Sequence, residues 1–323
     1  MIPFGGRPRT RGSSLFGERK PFPGQDPFLV PYEGAFLLIQ TGRNDRRIVI
    51  KRFTDLDRMH RNTTTVIWRP LRGSQRGRQL WAPELHEING RWYVYYAASD
   101  GQNENHRMYV LEADHPLGPY HSLGKICDPR HDHWAIDMTV LQHEGRLYAL
   151  WSGWDGEDDG FPQHLYIAPM ADPATIGGER VKISSPEYDW EMSVAPLNEG
   201  PQILRNHRDA KLFVAFSADA SWTQEYKMGL LEWTGGGVLD PSAWRKMSRP
   251  LFTGGGHGCF IEVEGQGHFV YHRKLSVDPG WADREIRSEP YTWDDDGYPV
   301  IASQRTAGDR QMAVQMFGAA VPS

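Results

Sequence analysis

One short pattern recurs five times along the chain, and it constrains the fold more than any other feature of the sequence. In four copies a residue stands eight positions before a turn glycine: Asp26 in DPFLVPYEG, Ala82 in APELHEING, Asp137 in DMTVLQHEG and His257 in HGCFIEVEG. A fifth copy begins at Glu199 in EGPQILRNHRD and has a longer turn without the glycine. The starting positions are 56, 55, 62 and 58 residues apart, which leaves room for about four short strands per copy. Five such units predict an all-β fold, a five-bladed β-propeller.

The strands within each copy can also be recognised. Each copy leads into a second strand rich in aromatic and β-branched residues, such as RWYVYYAAS, RLYALWSGW, KLFVAFSA or GHFVYHR. No long stretch places apolar residues at helical spacing. The 34 glycines, 23 prolines and 12% aromatic residues suit short strands joined by tight turns. We therefore expect one propeller domain over residues 23–323, closed by pairing of strands from both chain ends, and a lead over residues 1–22 that is disordered or wraps the surface.

The start of each copy is a candidate site, because the innermost strands of a propeller surround a central channel. That position holds Asp26, Ala82, Asp137, Glu199 and His257. Taken singly, the polar residues have structural explanations: an Asp before Pro starts turns, a Glu before Gly-Pro suits a solvated turn, and a His can satisfy a local backbone group. At equivalent positions of a repeat, three carboxylates and an imidazole favour a functional site at one mouth of the channel.

Crowded carboxylates suit acid–base chemistry. Like charges raise one another's pKa, so one carboxyl can stay protonated as a general acid while another stays ionised as a general base. Two carboxyls across a pocket, with room for water between them, are the arrangement of an inverting glycosidase. A third can tune and orient the acid, and Trp and Tyr rings supply flat faces for sugars.

Five sequence elements also carry a resemblance: DPFLV, WAPELHEINGRWYVYYAASDG, AIDMTVL, NEGPQIL and GGGHGCF. From about Asp26 to Pro299 the chain resembles glycoside hydrolase family 43, five-bladed propellers that cleave arabinose- and xylose-containing polysaccharides with inversion. The resemblance implies that Asp26 is the general base, that Asp137 raises the pKa of the acid and holds it in place, and that Glu199 is the general acid. It implies that His257 is the channel histidine, near which a calcium ion or another hydrated cation often lies. No cofactor is expected for the chemistry, and one His is a weak metal signature by itself.

Within that family, four further elements look most like the exo-acting α-L-arabinofuranosidase branch: NENHRMYVLEAD, LWSGW, LYIAPM and ISSPEYDWE. This predicts release of terminal α-L-arabinofuranose from arabinan or arabinose-substituted oligosaccharides. The candidates for substrate contact are Trp81, Trp151, Trp154 and Arg284. Each Trp can equally fill the core between blades, and the arginine can equally lie on the surface. Met138 stands where small residues are common in the family, which would narrow the pocket.

Other functions remain open at this point. A β-xylosidase, a galactofuranosidase or an endo-arabinanase would use the same scaffold and carboxylates. A non-catalytic carbohydrate-binding propeller would be expected to have lost a carboxylate, and all three are present. Fructan-cleaving relatives, which retain configuration, carry an Arg-Asp-Pro element, whereas Asp137 stands between Ile136 and Met138.

Composition narrows the partners and the location. A formal net charge of −5 gives no reason to expect a nucleic acid or an anionic membrane, so the expected partner is an arabinan- or arabinoxylan-type substrate. Cys127 and Cys259 lack metal-ligand spacing and are expected to be free thiols. No run of about 18 apolar residues suggests a membrane span, and the N-terminal stretch lacks an apolar core. We expect a cytoplasmic protein, or a secreted one if a signal peptide has been removed.

Overall fold

The computed structural model describes residues 22–42, 46–71, 74, 76–156 and 160–304. These residues form five antiparallel sheets, which are the blades of a β-propeller. The predicted all-β fold is therefore confirmed. In the described part of the chain the helical segments are single 3-10 turns: Leu56–Arg58, Asn103–Asn105, Asp189–Glu191, Pro241–Ala243 and Ala302–Gln304.

Each blade is an up-and-down meander whose first strand is the innermost. Blade 1 comprises Gln25–Tyr32, Ala35–Thr41, Ile48–Phe53 and Thr63–Trp68, and blade 2 comprises Arg78–Ile88, Arg91–Ser99, Arg107–Ala113 and His121–Ile126. Blade 3 comprises Ala135–His143, Arg146–Gly153 and His164–Asp172, with Thr175–Ile176 and Val181–Ser184 both paired to its third strand. Blade 4 comprises Asn198–Asn206, Lys211–Ala218 and Lys227–Trp233, with Trp244–Lys246 and Phe252–Thr253 both paired to its third strand.

Blade 5 joins the two ends of the chain. It comprises Gly256–Val263, Gln266–Lys274 and Arg284–Trp293, and Pro299–Ile301 pairs with the last of these. The N-terminal strand Phe22–Pro23 pairs with the same strand, Phe22 opposite Ile286 and Pro23 opposite Glu285. The predicted ring closure is thus observed, with Phe22, the last residue of the predicted lead, taking part in it. The rest of that lead, residues 1–21, lies outside the described residues.

The turn glycines of the repeat mark hairpins between the first and second strands. In four blades both central turn residues have positive φ: Glu33 and Gly34, Asn89 and Gly90, Glu144 and Gly145, Glu264 and Gly265. Positive φ at both positions defines the type I′ turn, whose twist matches that of the flanking strands and which requires Gly or a tolerant residue. This requirement explains why the glycine recurs at a fixed place in the sequence.

Eight residues before each turn glycine, the innermost strand contains a β-bulge. Two of its residues face a single residue of the second strand, as between Ile136 and Thr139, where the pairing jumps from Ser152 to Leu150. The first bulge residue has positive φ in every blade: Asp26 (51°), Ala82 (41°), Asp137 (59°), Gly200 (54°) and His257 (45°). Bulges of this kind re-aim side chains and are frequent beside active sites.

This geometry corrects the alignment of the fourth copy by one residue. The sequence aligned Glu199 with Asp26, but the pairing places Gly200 at the bulge, and Glu199 is the residue before it. A glycine suits this bulge position for two reasons. A Cβ on Gly200 would lie 3.2 Å from the ring of His257, and the positive φ would strain any other residue.

The core lies between the blades rather than within them. Successive residues of a second strand face opposite neighbouring blades, so the middle of this strand is continuously apolar instead of alternating. Five clusters of buried side chains result, with members Leu37 and Val94 between blades 1 and 2, Val110 and Ala149 between 2 and 3, Leu150 and Val214 between 3 and 4, Phe213 and Phe269 between 4 and 5, and Leu38 and Val270 between 5 and 1. Burial of one Val, Leu or Phe side chain stabilises the fold by about 1.5–3 kcal/mol, so the ring is held by contacts at all five interfaces.

Two further expectations concern cysteines and membranes. Cys127 and Cys259 are both free, as expected. Among the described residues, no helix has the length and apolar character needed to cross a membrane.

Candidate active site

Polar side chains on the second strand of one blade hold the bulge of the next blade. In three blades the bulge N–H donates to such a side chain: Asp26 to Nδ1 of His272 at 3.1 Å, Ala82 to Oγ1 of Thr41 at 2.7 Å, and His257 to Oγ of Ser217 at 2.7 Å. Each of these acceptors stands opposite the residue that precedes its own blade's bulge. The backbone that carries the candidate residues is therefore fixed to the neighbouring blade.

The bulges, with the residue before the bulge of blade 4, bring together the acidic residues that the sequence predicted. Asp26, Asp137, Glu199 and His257 all line one cavity of about 790 Å³. Nδ1 of His257 lies 3.5 Å from Oδ1 of Asp26 and 3.8 Å from Oδ2 of Asp137. The N–H of Gly200 donates to the same Oδ2 at 3.1 Å, which links the acidic residue of blade 3 to the bulge of blade 4. Four residues spread over more than 230 positions of the chain thus surround one cavity.

The environment separates the pKa values of these carboxyls. For Asp26, burial acts to raise the pKa, but electrostatic interactions with His257, His272 and Arg284 outweigh it and the pKa is lowered. For Asp137, burial raises the pKa to about 8, with the charges of Glu199 and Asp26 adding to the rise against the opposing effect of His257.

Glu199 also has a raised pKa. Burial is the main cause, and the charge of Asp26 adds to it, while His257, Arg284 and a hydrogen bond from Tyr226 act in the opposite direction. Because Asp137 and Glu199 repel one another when both are ionised, the two titrate as a pair. Near neutral pH the cavity accordingly holds an ionised Asp26 and a proton on the Asp137–Glu199 pair. These are the protonation states that a general base and a general acid need.

Tyr226 orients Glu199 and was not identified from the sequence. Its hydroxyl donates to Oε1 of Glu199 at 2.8 Å, and burial raises its pKa well above the usual value, so it remains a donor. Its ring stacks on that of His272 with centroids 5.5 Å apart, and Gly256 makes room for it, since a Cβ there would lie 2.5 Å from the ring. The same tyrosine therefore contacts both the predicted acid and the histidine that holds the backbone of the predicted base.

The predicted substrate-contact residues divide into two groups. Trp81, Trp154 and Arg284 line the cavity. Trp81 stacks on His106 at 3.8 Å and Trp154 on Trp134 at 4.5 Å between ring centroids, so neighbouring rings fix both.

Trp151 is a correction. It is 2% exposed, packs in the cluster between blades 2 and 3, and is absent from the described residues that line the cavity. It stands on the second strand opposite the bulge that contains Asp137 and Met138, and every side chain of that strand between Tyr148 and Gly153 is buried. Trp151 therefore fills the blade interface and presents no face to a sugar.

Arg284 is fixed in the cavity wall. Its Nη1 donates to Oε1 of Gln25 at 2.9 Å and its Nη2 to the carbonyl of Ser221 at 2.7 Å. Its Nε is buried without a protein partner among the described residues, and its guanidinium lies 5.0 Å from the ring centre of Trp281. The side chain is thus held in place while retaining a donor.

Sequence reasoning missed several cavity residues: Trp134, Phe161, Trp222 and Trp281. Trp134 lies three residues before Asp137, and this closeness in sequence to a predicted site residue could have identified it. The other three lie on loops that lead into third strands, and these loops share neither length nor sequence between blades, so the repeat gave no indication of them.

The residues near His257 do not form a cage for a directly bound metal. The described residues contain no group of three or more His, Cys, Asp or Glu side chains placed to hold an ion. His257 faces two carboxylates at 3.5 and 3.8 Å. Glu84, which directly follows the bulge of blade 2, is hydrogen-bonded to Gln202 and His86.

Comparison with known proteins agrees with this geometry. The profile of the family described as Glycosyl hydrolases family 43 matches residues 20–299. The chain is 33% identical over 258 residues to an "Extracellular exo-alpha-(1->5)-L-arabinofuranosidase" of Streptomyces chartreusis, covering 75% of this chain and 77% of that protein. It is 32% identical over 293 residues to "Alpha-L-arabinofuranosidase 43" of Humicola insolens, covering 85% of this chain but only 60% of that protein.

A solved structure is similar over most of both chains. The α-L-arabinofuranosidase from Lactobacillus brevis superimposes with a TM-score of 0.78 at 32% identity, covering 85% of this chain and 93% of that one. An exo-1,5-α-L-arabinanase from a bovine ruminal metagenomic library has a TM-score of 0.65 at 20% identity, which supports the shared fold alone.

Proposed function

The chain belongs to glycosyl hydrolase family 43, and from this premise we propose that it is an inverting glycosidase that releases terminal α-L-arabinofuranose. The observation that carries the proposal is the set of three carboxyls in one cavity, with the pKa of Asp26 lowered and the pKa values of Asp137 and Glu199 raised. Two relatives above 30% identity, both named as arabinofuranosidases, support the choice of sugar.

Each carboxyl has a distinct role in a single displacement. Ionised Asp26 takes a proton from a water molecule, whose oxygen attacks the anomeric carbon on the face opposite the leaving oxygen. Protonated Glu199 gives its proton to that leaving oxygen as the bond from the anomeric carbon breaks. Exchange of protons with solvent then restores both groups, and the anomeric configuration of the released sugar is inverted.

Asp137 and Tyr226 support the acid. A charge on Asp137 would repel a charge on Glu199, so their proximity favours the protonated form that the reaction requires. Tyr226 fixes Oε1 of Glu199 at 2.8 Å and opposes an excessive rise of its pKa. Asp137 and Tyr226 therefore orient the acidic proton of Glu199 and set the pH range in which Glu199 can donate it.

The substrate is an oligosaccharide or polysaccharide that ends in, or is substituted with, α-L-arabinofuranose. A fixed arginine with a free donor and stacked tryptophans on the cavity wall suit a sugar with several hydroxyls and apolar C–H faces. No described feature favours a xylopyranoside or a galactofuranoside over this assignment, so these sugars serve as competing substrates in the test.

The test is a substrate panel with product analysis. Purified protein is incubated with nitrophenyl α-L-arabinofuranoside, β-D-xylopyranoside and β-D-galactofuranoside, and separately with linear 1,5-α-arabinan, with Glu199→Gln as the inactive control. The proposal predicts the highest kcat/KM on the arabinofuranoside and arabinose as the first product from arabinan. Oligosaccharides as first products would indicate endo action, and binding without turnover would indicate a carbohydrate-binding protein.

Two further expectations are proposals of the same kind. A hydrated cation near His257 would be held through water, since the residues around it form no cage. Equilibrium dialysis against calcium at micromolar concentration, with His257→Ala as the control, tests this. A cytoplasmic location is the expectation for this chain, and fractionation of the producing cells tests it.

A further inference from the structure

A buried charged pair lies at the interface of blades 3 and 4, and the proposed mechanism does not use it. Nζ of Lys246 lies 2.8 Å from Oε1 of Glu191, and the two side chains are 7% and 0% exposed. Replacing such a pair with apolar residues is often neutral or even stabilising, so stability alone is a weak reason for its presence. Neither residue is among the described residues that line the cavity. The contacts of the pair supply another explanation.

Both charged groups bind the same amide. Nδ2 of Asn198 donates to Oε1 of Glu191 at 2.8 Å, and Oδ1 of Asn198 accepts from Nζ of Lys246 at 3.2 Å. The same Oδ1 accepts from Oγ of Ser184 at 2.6 Å, and Nδ2 donates to the carbonyl of Leu197 at 3.0 Å. An Asn side chain has two N–H donors and two acceptor lone pairs, so this amide is fully hydrogen-bonded. The reversed amide would turn its oxygen toward the carboxylate and its N–H groups toward the ammonium, so the two charges select a single orientation.

The backbone of Asn198 is held as well, and by blade 3. Its N–H donates to the carbonyl of Gln163 at 3.1 Å, and its carbonyl accepts from Oγ of Ser152 at 2.9 Å. Ser152 stands on the second strand of blade 3, opposite the residue that precedes the bulge of that blade. Thr41 and Ser217 hold the bulges of the following blades from the same place in their own blades. Asn198 thus receives the contact that the bulge itself receives in those blades.

Asn198 directly precedes Glu199, the predicted general acid. On its other side Glu199 is followed by Gly200, at φ 54°, and glycine restricts the backbone less than any other residue. On the Asn198 side the backbone and the side chain are both hydrogen-bonded, and the residue is 0% exposed. A misplacement of about 1 Å can lower a rate by about a hundredfold, so the fixed side has to locate the carboxyl of Glu199.

We propose that Asn198, oriented by the buried Glu191–Lys246 pair, is a positioning residue that holds the carboxyl of Glu199 against the oxygen that it protonates. This inference rests on the proposed function. Asn198 is absent from the described residues that line the cavity, so it acts through Glu199 and not by contact with the sugar. The pair in turn acts through Asn198, because apolar residues in its place would leave the amide without partners and free to take another orientation.

A misplaced acid has a kinetic signature that a general loss of structure lacks. Methanol is a poor leaving group and needs a proton from Glu199 on its oxygen, whereas 4-nitrophenolate leaves with little help from a proton. When both groups are attached to α-L-arabinofuranose, the two substrates share the binding of this sugar and the attack of the water that Asp26 activates. The ratio of kcat/KM on the 4-nitrophenyl glycoside to kcat/KM on the methyl glycoside therefore reports on proton donation.

This ratio is measured for wild type, Asn198→Ala, Glu191→Gln and Lys246→Met, with folding checked by circular dichroism. For Asn198→Ala we expect kcat/KM to fall by about ten- to a hundredfold on the methyl glycoside and much less on the 4-nitrophenyl glycoside. Glu191→Gln and Lys246→Met should change the ratio in the same direction. The double variant Asn198→Ala/Glu191→Gln should have the ratio of Asn198→Ala alone, because the pair acts through the amide.

Glu232→Gln is the matched control. Glu232 lies in the same blade with its side chain 7% exposed, and it is paired with Arg245, the residue before Lys246. Successive residues of a strand face opposite sides of the sheet, and Glu232 accordingly contacts Tyr298, beside the last strand of blade 5, instead of blade 3. We expect this variant to lose stability and to keep the wild-type ratio.

The outcomes are separable. An equal loss on both glycosides in Asn198→Ala and Lys246→Met would show a structural role alone and overturn the inference, as would no loss on either glycoside. If Asn198→Ala does not fold, Lys246→Met decides, because Glu191 then keeps the N–H donors of Glu187 and Tyr188, each at 2.9 Å. If the wild type hydrolyses neither glycoside, the proposed function fails and the inference with it. A wild type that is active on both, with an unchanged ratio in the variants, rejects the inference alone.

Discussion

Replacing Asp137 with Asn should abolish most activity and, at neutral pH, stabilise the fold. Asp137 is 3% exposed, and burial, with the charges of Glu199 and Asp26, raises its pKa to about 8. In the unfolded chain the pKa of an Asp is about 3.9. Between these values the native state keeps a proton that the unfolded state has lost, so stability falls as pH rises through the window from about 4 to about 8. Below about pH 4 both states hold the proton, and Asp137 no longer lowers the free energy of unfolding.

The size of the effect follows from the width of the window. Each pH unit corresponds to about 1.4 kcal/mol, so at pH 7 the proton uptake costs at most about 4 kcal/mol. Asn has nearly the same volume, and its carbonyl oxygen can still accept from the N–H of Gly200. Water entry and relaxation reduce the gain, so we expect Asp137→Asn to be more stable than wild type by about 2–4 kcal/mol at pH 7 and equally stable at pH 4.

Urea unfolding followed by tryptophan fluorescence at pH values from 4 to 8 measures this difference. Asp219→Asn is the matched control with the opposite sign: burial acts to raise the pKa of Asp219, but hydrogen bonds from Ser193, Ala195 and other neighbours lower it. Its contribution is present above the unfolded pKa and lost as pH falls, so Asp219→Asn should destabilise at pH 7. A difference between Asp137→Asn and wild type that does not change with pH, or a loss of stability at pH 7, would contradict the raised pKa of Asp137.

Three other substitutions test the site. Glu199→Gln and Asp26→Asn should each lower kcat by about a thousandfold or more with an unchanged circular dichroism spectrum, and near-normal activity in either would remove that residue from its role. Tyr226→Phe removes a donor that lowers the pKa of Glu199, so the alkaline limb of the kcat/KM profile should move to higher pH. His257, Asp26 and Arg284 still face Glu199 in this variant. An alkaline limb that does not move would indicate that Tyr226 has a structural role alone. Gly200→Ala, at φ 54° and with a Cβ 3.2 Å from His257, should cost about 1–3 kcal/mol of unfolding free energy and lower kcat, and a variant as stable and active as wild type would contradict the geometry.

The sequence could predict the fold because local backbone requirements repeat with the blades. Each type I′ turn needs a residue such as Gly90 or Gly145 at positive φ, and the bulge lies eight residues earlier. The continuous apolar second strands follow from burial against blades on both sides. These requirements act on residues close together in sequence, so the turn glycines and bulge residues recur at a fixed spacing that can be read from the sequence.

The site could be predicted only where it depends on that repeat. Asp26, Asp137 and His257 occupy bulges, whereas Glu199 stands one residue before its bulge, where the longer turn of the fourth blade hides the register. Trp281 shares no repeat position with any other blade, since it lies on a loop of independent length. Which of several tryptophans face the cavity depends on contacts between distant loops.

The anomeric configuration of the first product distinguishes one displacement from two. In the proposed mechanism Asp26 and Glu199 act from opposite faces of the sugar in one displacement. Proton NMR of an α-L-arabinofuranoside during the first minutes of hydrolysis, before mutarotation, should therefore show β-L-arabinofuranose appearing first. If α-L-arabinofuranose appears first, the reaction proceeds with retention, and the roles assigned to Asp26 and Glu199 are contradicted.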